Sequence, residues 1–436
     1  MMFRRIRFPF LLSAVVVVVA CSAAKNSSLV FDDDGGAASS VTTGSGGAGG
    51  ATVNASATTG FDPSTGGSTG TGTNCDAGPD EDKDMDGWSI NEGDCNDCDP
   101  NMNPGAVEVV ADPNGMGGAP PAVDEDCDGE IDNVPGICDG QIAVDSNDPM
   151  DGARAMDLCK TALGAKDWGV IEAKWVSVDG STLPSSPNFH LGHGTLNAFG
   201  PNVNVQKGQQ MFALSSGTAR QPTDPGYQSP QGFSKGYTSN HPIGFPKESP
   251  SCPGVTTGTP NDGTALQLTI RVPTNANGFA FDFNFYTFEW PGYVCSQFND
   301  FFVAILDPIP MGQKDGNISF DSQNNPVSVN NAFLEVCGCQ GGPPCAAGGK
   351  NFTCSLGNSE LAGTGFEAQG MFGQDHGATS WLTTQAPVVA GTVIKMMWGV
   401  YDSGDGVLDS TTLIDNWRWI AEPGTAVGTK PIPDPK

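Results

Sequence analysis

The sequence predicts a mainly β protein. An antiparallel, jelly-roll-like β-sandwich is expected over residues 141–424, preceded by a disordered linker and a small acidic, cysteine-bearing module at 75–140. Three observations carry this. In NGFAFDFNFYTFEW, Phe279, Phe281, Phe283 and Phe285 fall at every second position, the period that turns one side of a strand toward a core. Other apolar runs are short and separated by Gly, Pro and Asn, which suits hairpins better than crossover helices. Between Asp76 and Asp132, by contrast, 18 acidic residues face one base, Lys83.

The chain opens on MMFRRIRFPFLLSAVVVVVACSAA. Arg4, Arg5 and Arg7 precede an apolar run from Phe8 to Ala20 that is too short to span a bilayer, so residues 1–20 read as an export signal. VVAC sets Cys21 behind a small residue and resembles the lipobox of bacterial lipoproteins. That resemblance implies cleavage before Cys21 and lipid on its thiol and amine, and Ser22 implies the outer membrane, on its periplasmic or its surface side. Without Cys21, twelve of the thirteen cysteines remain, an even number that favours disulfides in an exported chain. A formal charge of −29 excludes nucleic acid as a partner. From Gly35 to Asn74, 27 of 40 residues are Gly, Ser or Thr. Such a composition cannot offset its ordering entropy, so 21–74 is expected to be a flexible tether whose last 40 residues span roughly 35 Å.

In the acidic module, uncompensated carboxylates repel one another, and a divalent cation is the simple remedy. Asp82, Asp84 and Asp86 alternate and are followed by Gly87, the D-x-D-x-D-G arrangement in which oxygens converge on a hard ion and glycine permits the sharp turn. Trp88 is expected to add its backbone carbonyl, and Glu92 or Asp94 to close the shell. Gly93 occupies the twelfth position, so the loop is not an EF-hand. DEDCDGEIDN repeats the design with Asp124, Asp126, Asp128, Gly129, Glu130 and Asp132, and Asp94, Asp97 and Asp99 lie between in GDCNDCDP. Oxygen donors with no histidine in the segment suit calcium, copper being the less favoured alternative. The competing reading is a solvated acidic run pinned by Cys95, Cys98 and Cys127. The segment resembles the MopE-type metal-binding motif of secreted and surface proteins, GDC-x-D-x-D-P, then N-P-G-A-x-E, then D-x-D-C-D-G-x-x-D. It departs in having no cysteine after Glu108 and an extra one at Cys98. The resemblance implies a metal-binding module, and bound calcium would order it rather than catalyse.

One helix is expected, in DGARAMDLCKTALG, with Asp151 at its start and Met156, Cys159 and Leu163 on one face. Strands are expected at WGVIEAKWVSV, QMFALSS, ALQLTIRVP, DFFVAIL, PVSVNN, VIKMMWGVYD and TTLIDNWRWI, with 425–436 as a tail. Cys337, Cys339, Cys345 and Cys354 crowd a Gly-rich insertion and read as staples, while Cys252 with Cys295 and Cys138 with Cys159 are candidate pairs.

FEWPGYVCSQFNDFFVAIL, PVSVNNAFLEV and VYDSGDGVLDSTTLIDNWRW, in that order, resemble the choice-of-anchor L domain. This implies a surface-associated β-domain. In this chain Glu289 alone remains of the family's acidic pair. Oxygen-bearing side chains at Glu289, Asn299, Asp300, Asp402, Asp405 and Asp409, together with Asp415, gather near strand ends, where they either hold a second calcium or simply make turns. The expected function is non-catalytic: a calcium-binding lipoprotein for adhesion or envelope display, its partner a glycan, a matrix polymer or another surface protein. A hydrolase using Glu172, Glu289 and Asp300, or a copper-capture protein, are the alternatives. Trp290 and Tyr293 are candidates for a sugar platform, with core packing as the commoner role. HLGH, with His190 and His193, lacks the H-E-x-x-H pattern and is read as ordinary turn or surface histidines.

Overall fold

The computed structural model describes residues 76–110, 122–367, 376–433 and 435. All lie in one compact unit, Thr69–Lys436. The export signal, Cys21 and the tether fall outside the described residues.

Twelve strands are found among the described residues: β1 Gly169–Val176, β2 His193–Leu196, β3 Met211–Ser215, β4 Pro260–Arg271, β5 Gly278–Thr287, β6 Phe301–Asp307, β7 Cys345–Ala347, β8 Lys350–Phe352, β9 Gly377–Pro387, β10 Val393–Ser403, β11 Ser410–Ile420 and β12 Gly428–Pro431. A four-stranded sheet runs β1-β4-β10-β6 and a six-stranded sheet β12-β9-β5-β11-β3-β2, with β7-β8 as a separate hairpin. Every ladder is antiparallel. The two larger sheets stack as a sandwich.

The alternating phenylalanines of β5 close that sandwich. Phe279 stacks on Trp417 at 4.3 Å, Phe281 meets Trp398 of β10 edge-on at 5.7 Å, and Phe283 packs on Phe302 of β6 at 4.8 Å. Strand β5 therefore joins one sheet to the other through its rings. Its opposite face is covered too, because Tyr286 packs with Phe199 and Phe366 from the loops, and all ten residues of the strand are buried. Beyond the four-stranded sheet, Val303, Met397 and Tyr401 pack under Phe245.

Seven of the eight expected strands are found, and PVSVNN is not. It makes only isolated bridges, Phe320 with Pro326 and Phe301 with Ser328, before an Asn-rich turn in which Asn331 bonds back to Ser328. Strands β2, β9 and β12 were not expected. Strand β9, GATSWLTTQAP, is rich in Thr, Ser and Gln yet almost wholly buried, and β12 of the C-terminal segment extends the sheet beside it. The helix covers only Pro149–Arg154 and is capped by Asp148, whose side chain accepts from the Met150 N–H. It ends early because Asp157 takes φ +69 and Cys159 is bonded to Cys138, after which Lys160 and Ala162 pair with Val170. Leu163, expected on the apolar face, is 90 % exposed.

Five disulfides join described residues: Cys95–Cys127, Cys138–Cys159, Cys252–Cys295, Cys337–Cys354 and Cys339–Cys345. Because Phe281 is wholly buried between the sheets, Phe281→Ala should destabilise the protein by about 3–5 kcal/mol, read as a lower midpoint in equilibrium urea unfolding.

Candidate metal sites

The two D-x-D-x-D-G stretches fold into the same loop. Met85 and Cys127 both take left-handed φ, +67 and +56, and Gly87 and Gly129 follow at +96 and +94. In the first loop the Gly87 N–H donates to Asp82 Oδ2 at 3.0 Å, Asp86 N–H to Asp84 Oδ1 at 3.2 Å and Trp88 N–H to Asp86 Oδ1 at 2.7 Å. In the second, Gly129 donates to Asp124 Oδ2 at 2.9 Å, Asp128 to Asp126 Oδ1 at 3.2 Å and Glu130 to Asp128 Oδ1 at 2.8 Å. Even the amide that steadies the third aspartate recurs: Asn103 donates to Asp86 Oδ2 and Asn133 to Asp128 Oδ2, each at 2.7 Å. Each aspartate thus spends at least one oxygen on the turn, and Asp86, Asp124 and Asp128 spend both.

The carboxylates still converge. One oxygen each from Asp82, Asp84 and Asp86 lie within 4.8 Å of one another, and Asp84 is shared with a second such group containing Asp94 and Asp97. Asp94 is buried, and its Oδ2 and that of Asp84 accept no hydrogen bond. Burial raises the pKa of Asp84 and Asp94, and pushes Asp86 up to about 6. The second loop gathers Glu108, Asp124 and Asp126, and beside them Glu108, Glu125 and Asp132. Glu108 and Glu125 were missed as ligands, although Glu108 is the last residue of the N-P-G-A-x-E pattern. Burial pushes Glu125 up to about 7.

Other expected ligands point elsewhere. Glu92 is held by Lys166 at 2.6 Å, which lowers its pKa. Asp99 accepts from Asn101 in a local turn, and the exposed Glu130 lies at the edge of the second loop near Asn133. Trp88, by contrast, keeps its backbone in the first loop, where its N–H donates to Asp86 Oδ1, while its ring lies under the Lys166 ammonium, 5.0 Å away.

Cys95–Cys127 ties the second loop covalently to the segment that carries Asp94 and Asp97, and Asn103 joins the first loop to the sandwich. While its amide holds Asp86, the Asn103 oxygen accepts from Thr274 Oγ1 at 2.7 Å in the turn between β4 and β5. Asn275 of the same turn makes a two-bond clasp with the backbone of Val107, at 2.9 and 2.8 Å.

A different acidic group lies at one end of the sandwich. Glu289 follows β5, Asn299 and Asp300 precede β6, Asp402 lies near the end of β10 and Asp409 precedes β11. Glu289, Asp300 and Asp402 each bring an oxygen to within 4.8 Å of the others. Burial raises the pKa of all three; repulsion from Asp402 adds to it at Glu289 and Asp300, and repulsion from Asp405 adds to it at Asp402. Asp405 is exposed and accepts from the Val407 N–H in a turn. Asp415 lies apart, accepting from the Gln206 and Lys207 N–H groups.

A model of the choice-of-anchor L domain matches residues 176–417, more than half of the chain. The chain belongs to the choice-of-anchor L family. The family is surface-associated and is not one of enzymes. No curated protein matches the chain, and among the described residues no helix is long and apolar enough to cross a membrane. Features that would suggest chemistry are spent on structure in this choice-of-anchor L domain. Glu172 lies on β1 paired with Lys174 at 2.8 Å, away from the buried Glu289 and Asp300. Trp290 is wholly buried against Phe352 rather than exposed. His193 is a core residue of β2, not a surface one: it stacks on Trp175 at 3.8 Å, and burial, reinforced by Arg220, lowers its pKa to about 3.

Two outcomes follow from this geometry. Replacing the buried Asn103 by Ala leaves its partners on Asp86, Thr274 and Gly105 unsatisfied and should cost about 1–3 kcal/mol in chemical unfolding. In chelator, Asp86 and Glu125 favour the protonated folded state, so their contribution is fully present below their ordinary values and is lost as pH rises through about 6 and about 7. Melting temperature in chelator should therefore fall from about pH 4, near the ordinary carboxylate values, to about pH 7 and then level off, and saturating calcium should flatten the trend.

Proposed function

We propose that this choice-of-anchor L protein is a non-catalytic, calcium-binding lipoprotein of the bacterial outer membrane, serving adhesion or envelope display. Lipid on Cys21 and the Gly/Ser/Thr tether hold the folded part off the membrane; the lipobox-like VVAC supports this. The acidic segment acts as a MopE-type module with one calcium in each loop. The observation that carries this reading is the shared turn of the loops, since two stretches 42 residues apart (124 − 82) adopt one backbone and each gathers three carboxylates, Asp82, Asp84 and Asp86 in the first and Asp124 and Asp126 with Glu108, without Asp128, in the second. Mere solvated charge has no reason to repeat a backbone. The ligands are hard oxygens, so calcium fits and copper does not.

The partner is a glycan, a matrix polymer or another surface protein. A cavity of about 550 Å³ at the junction of module and sandwich suits a polar polymer, because Trp168 and Trp419 lie in its wall among Lys207, Arg418, Glu108 and Asp126. A hydrolytic reading finds less support, for its carboxylate pair would be Glu289 and Asp300, both inaccessible to a substrate.

Calcium titration of the chain beginning after Cys21, followed by thermal unfolding, tests the loops. At a hundredfold excess over Kd a single site contributes about 2.7 kcal/mol, a rise of several degrees. Asp84→Asn, which touches both carboxylate groups of the first loop, should remove part of that rise, and copper should not displace calcium. An unchanged melting curve and no retained metal by elemental analysis would remove the loops from the function.

A further inference from the structure

The geometry points to a separate, fully buried calcium site at the end of the sandwich, held by Glu289, Asp300 and Asp402 with Asn299 and Asp409 beside them, which ties the two sheets together. It stands independently of the loops and holds even if they bind nothing.

These five side chains are between 0 and 2 % exposed. Glu289 Oε2 accepts from the Asp300 N–H at 2.9 Å, which fixes its direction. Both carboxylate oxygens of Asp300 and of Asp402, Asp409 Oδ2 and Asn299 Oδ1 are buried without a hydrogen bond of normal geometry. Buried acceptors are otherwise almost always satisfied, so the unpaired oxygens of Asp300 and Asp402, gathered with Glu289, mark the place of a cation. The site is built and not a chance crowd of surface acids. Pairing of β4 with β10 shifts register between Val400 and Asp402, a bulge of the sort that re-aims a side chain.

Lys235 supplies only part of the missing charge. Its ammonium donates to Ser215 O and Thr264 Oγ1, each at 2.7 Å, and its attraction is felt at Asp409. Asp262 is satisfied by the Lys235 and Tyr237 N–H groups and the Ser234 hydroxyl. Glu289, Asp300 and Asp402 keep their mutual repulsion. With carboxylate and amide oxygens and no nitrogen or sulfur donor, the set selects a hard ion. Calcium suits it better than magnesium, which keeps several waters that a buried site does not easily admit.

Burial also distinguishes this site from the loops. An ion there leaves only when the ends of β5, β6, β10 and β11 separate, whereas the Asp82 and Asp124 loops lie near solvent. Slow release is therefore expected from one site per chain and fast release from the loops.

The test uses the chain beginning after Cys21, loaded with calcium, gel-filtered and mixed with a fluorescent chelator in stopped flow. One equivalent should leave slowly, and Asp300→Asn should abolish that phase while Asp84→Asn leaves it intact. Loss of the fast ions alone would overturn the loop assignment and not this one. Should Asp300→Asn fail to fold, terbium in the unaltered chain answers instead. Tyr401 is buried and close enough to feel the charge of Asp300, so excitation at tyrosine should sensitise a terbium population whose lifetimes in H2O and D2O show little bound water. A slow phase that survives Asp300→Asn, the absence of any slow ion, or terbium that is heavily hydrated throughout would each overturn the proposal.

Discussion

Like charge held close together is the constraint around which this protein is organised. Two unit charges about 4 Å apart repel by about 4 kcal/mol at an effective dielectric constant of 20. Three buried carboxylates within 4.8 Å of one another make three such pairs, a cost on the order of 10 kcal/mol against a typical domain stability of about 5–15 kcal/mol. Glu289, Asp300 and Asp402 therefore cannot all be ionised in the folded chain without a counter-charge. Protonation or a cation must supply it, and the choice decides how firmly the ends of four strands are held.

The same constraint recurs in the acidic module at lesser depth, with a different local solution. There the backbone N–H groups of each loop take one oxygen of each aspartate, as a helix N-terminus takes a capping side chain, and disperse part of the charge. The carboxylates are nevertheless left close together. Because Asn103 holds Asp86 with its amide and Thr274 with its oxygen, the state of the first loop is transmitted by two hydrogen bonds to the turn between β4 and β5. That turn leads directly into the strand whose phenylalanines join the sheets. The module is thus continuous with the sandwich, mechanically as well as in sequence.

How much of this was legible in the sequence depends on whether the signal was local. The period of two in β5 is local, and Phe279 to Phe285 read correctly as one buried face. The D-x-D-x-D-G loops are local as well, since glycine and alternating aspartate specify their own turn. Strand β9 was illegible because its burial comes from both covering layers: Thr383 and Thr384 are buried by partners more than 40 residues away, Asp282 and Thr429, which a polar string cannot announce. PVSVNN misled in the opposite direction, having strand residues but ending in Asn330 and Asn331, whose side chains favour turns. The helix after Arg154 failed for a tertiary reason, the pull of Cys159 toward Cys138. Glu108 and Glu125 join the second loop from outside its motif, a contact that only folding makes.

Depth also separates the readings of function. A carboxylate acting on a substrate must meet solvent or a cleft, and the carboxylates whose pKa values are raised most lie where neither reaches. Perturbed titration commonly marks an active site, but the inference requires access as well as perturbation. Without access, the same electrostatics stores a dependence of the fold on what neutralises it.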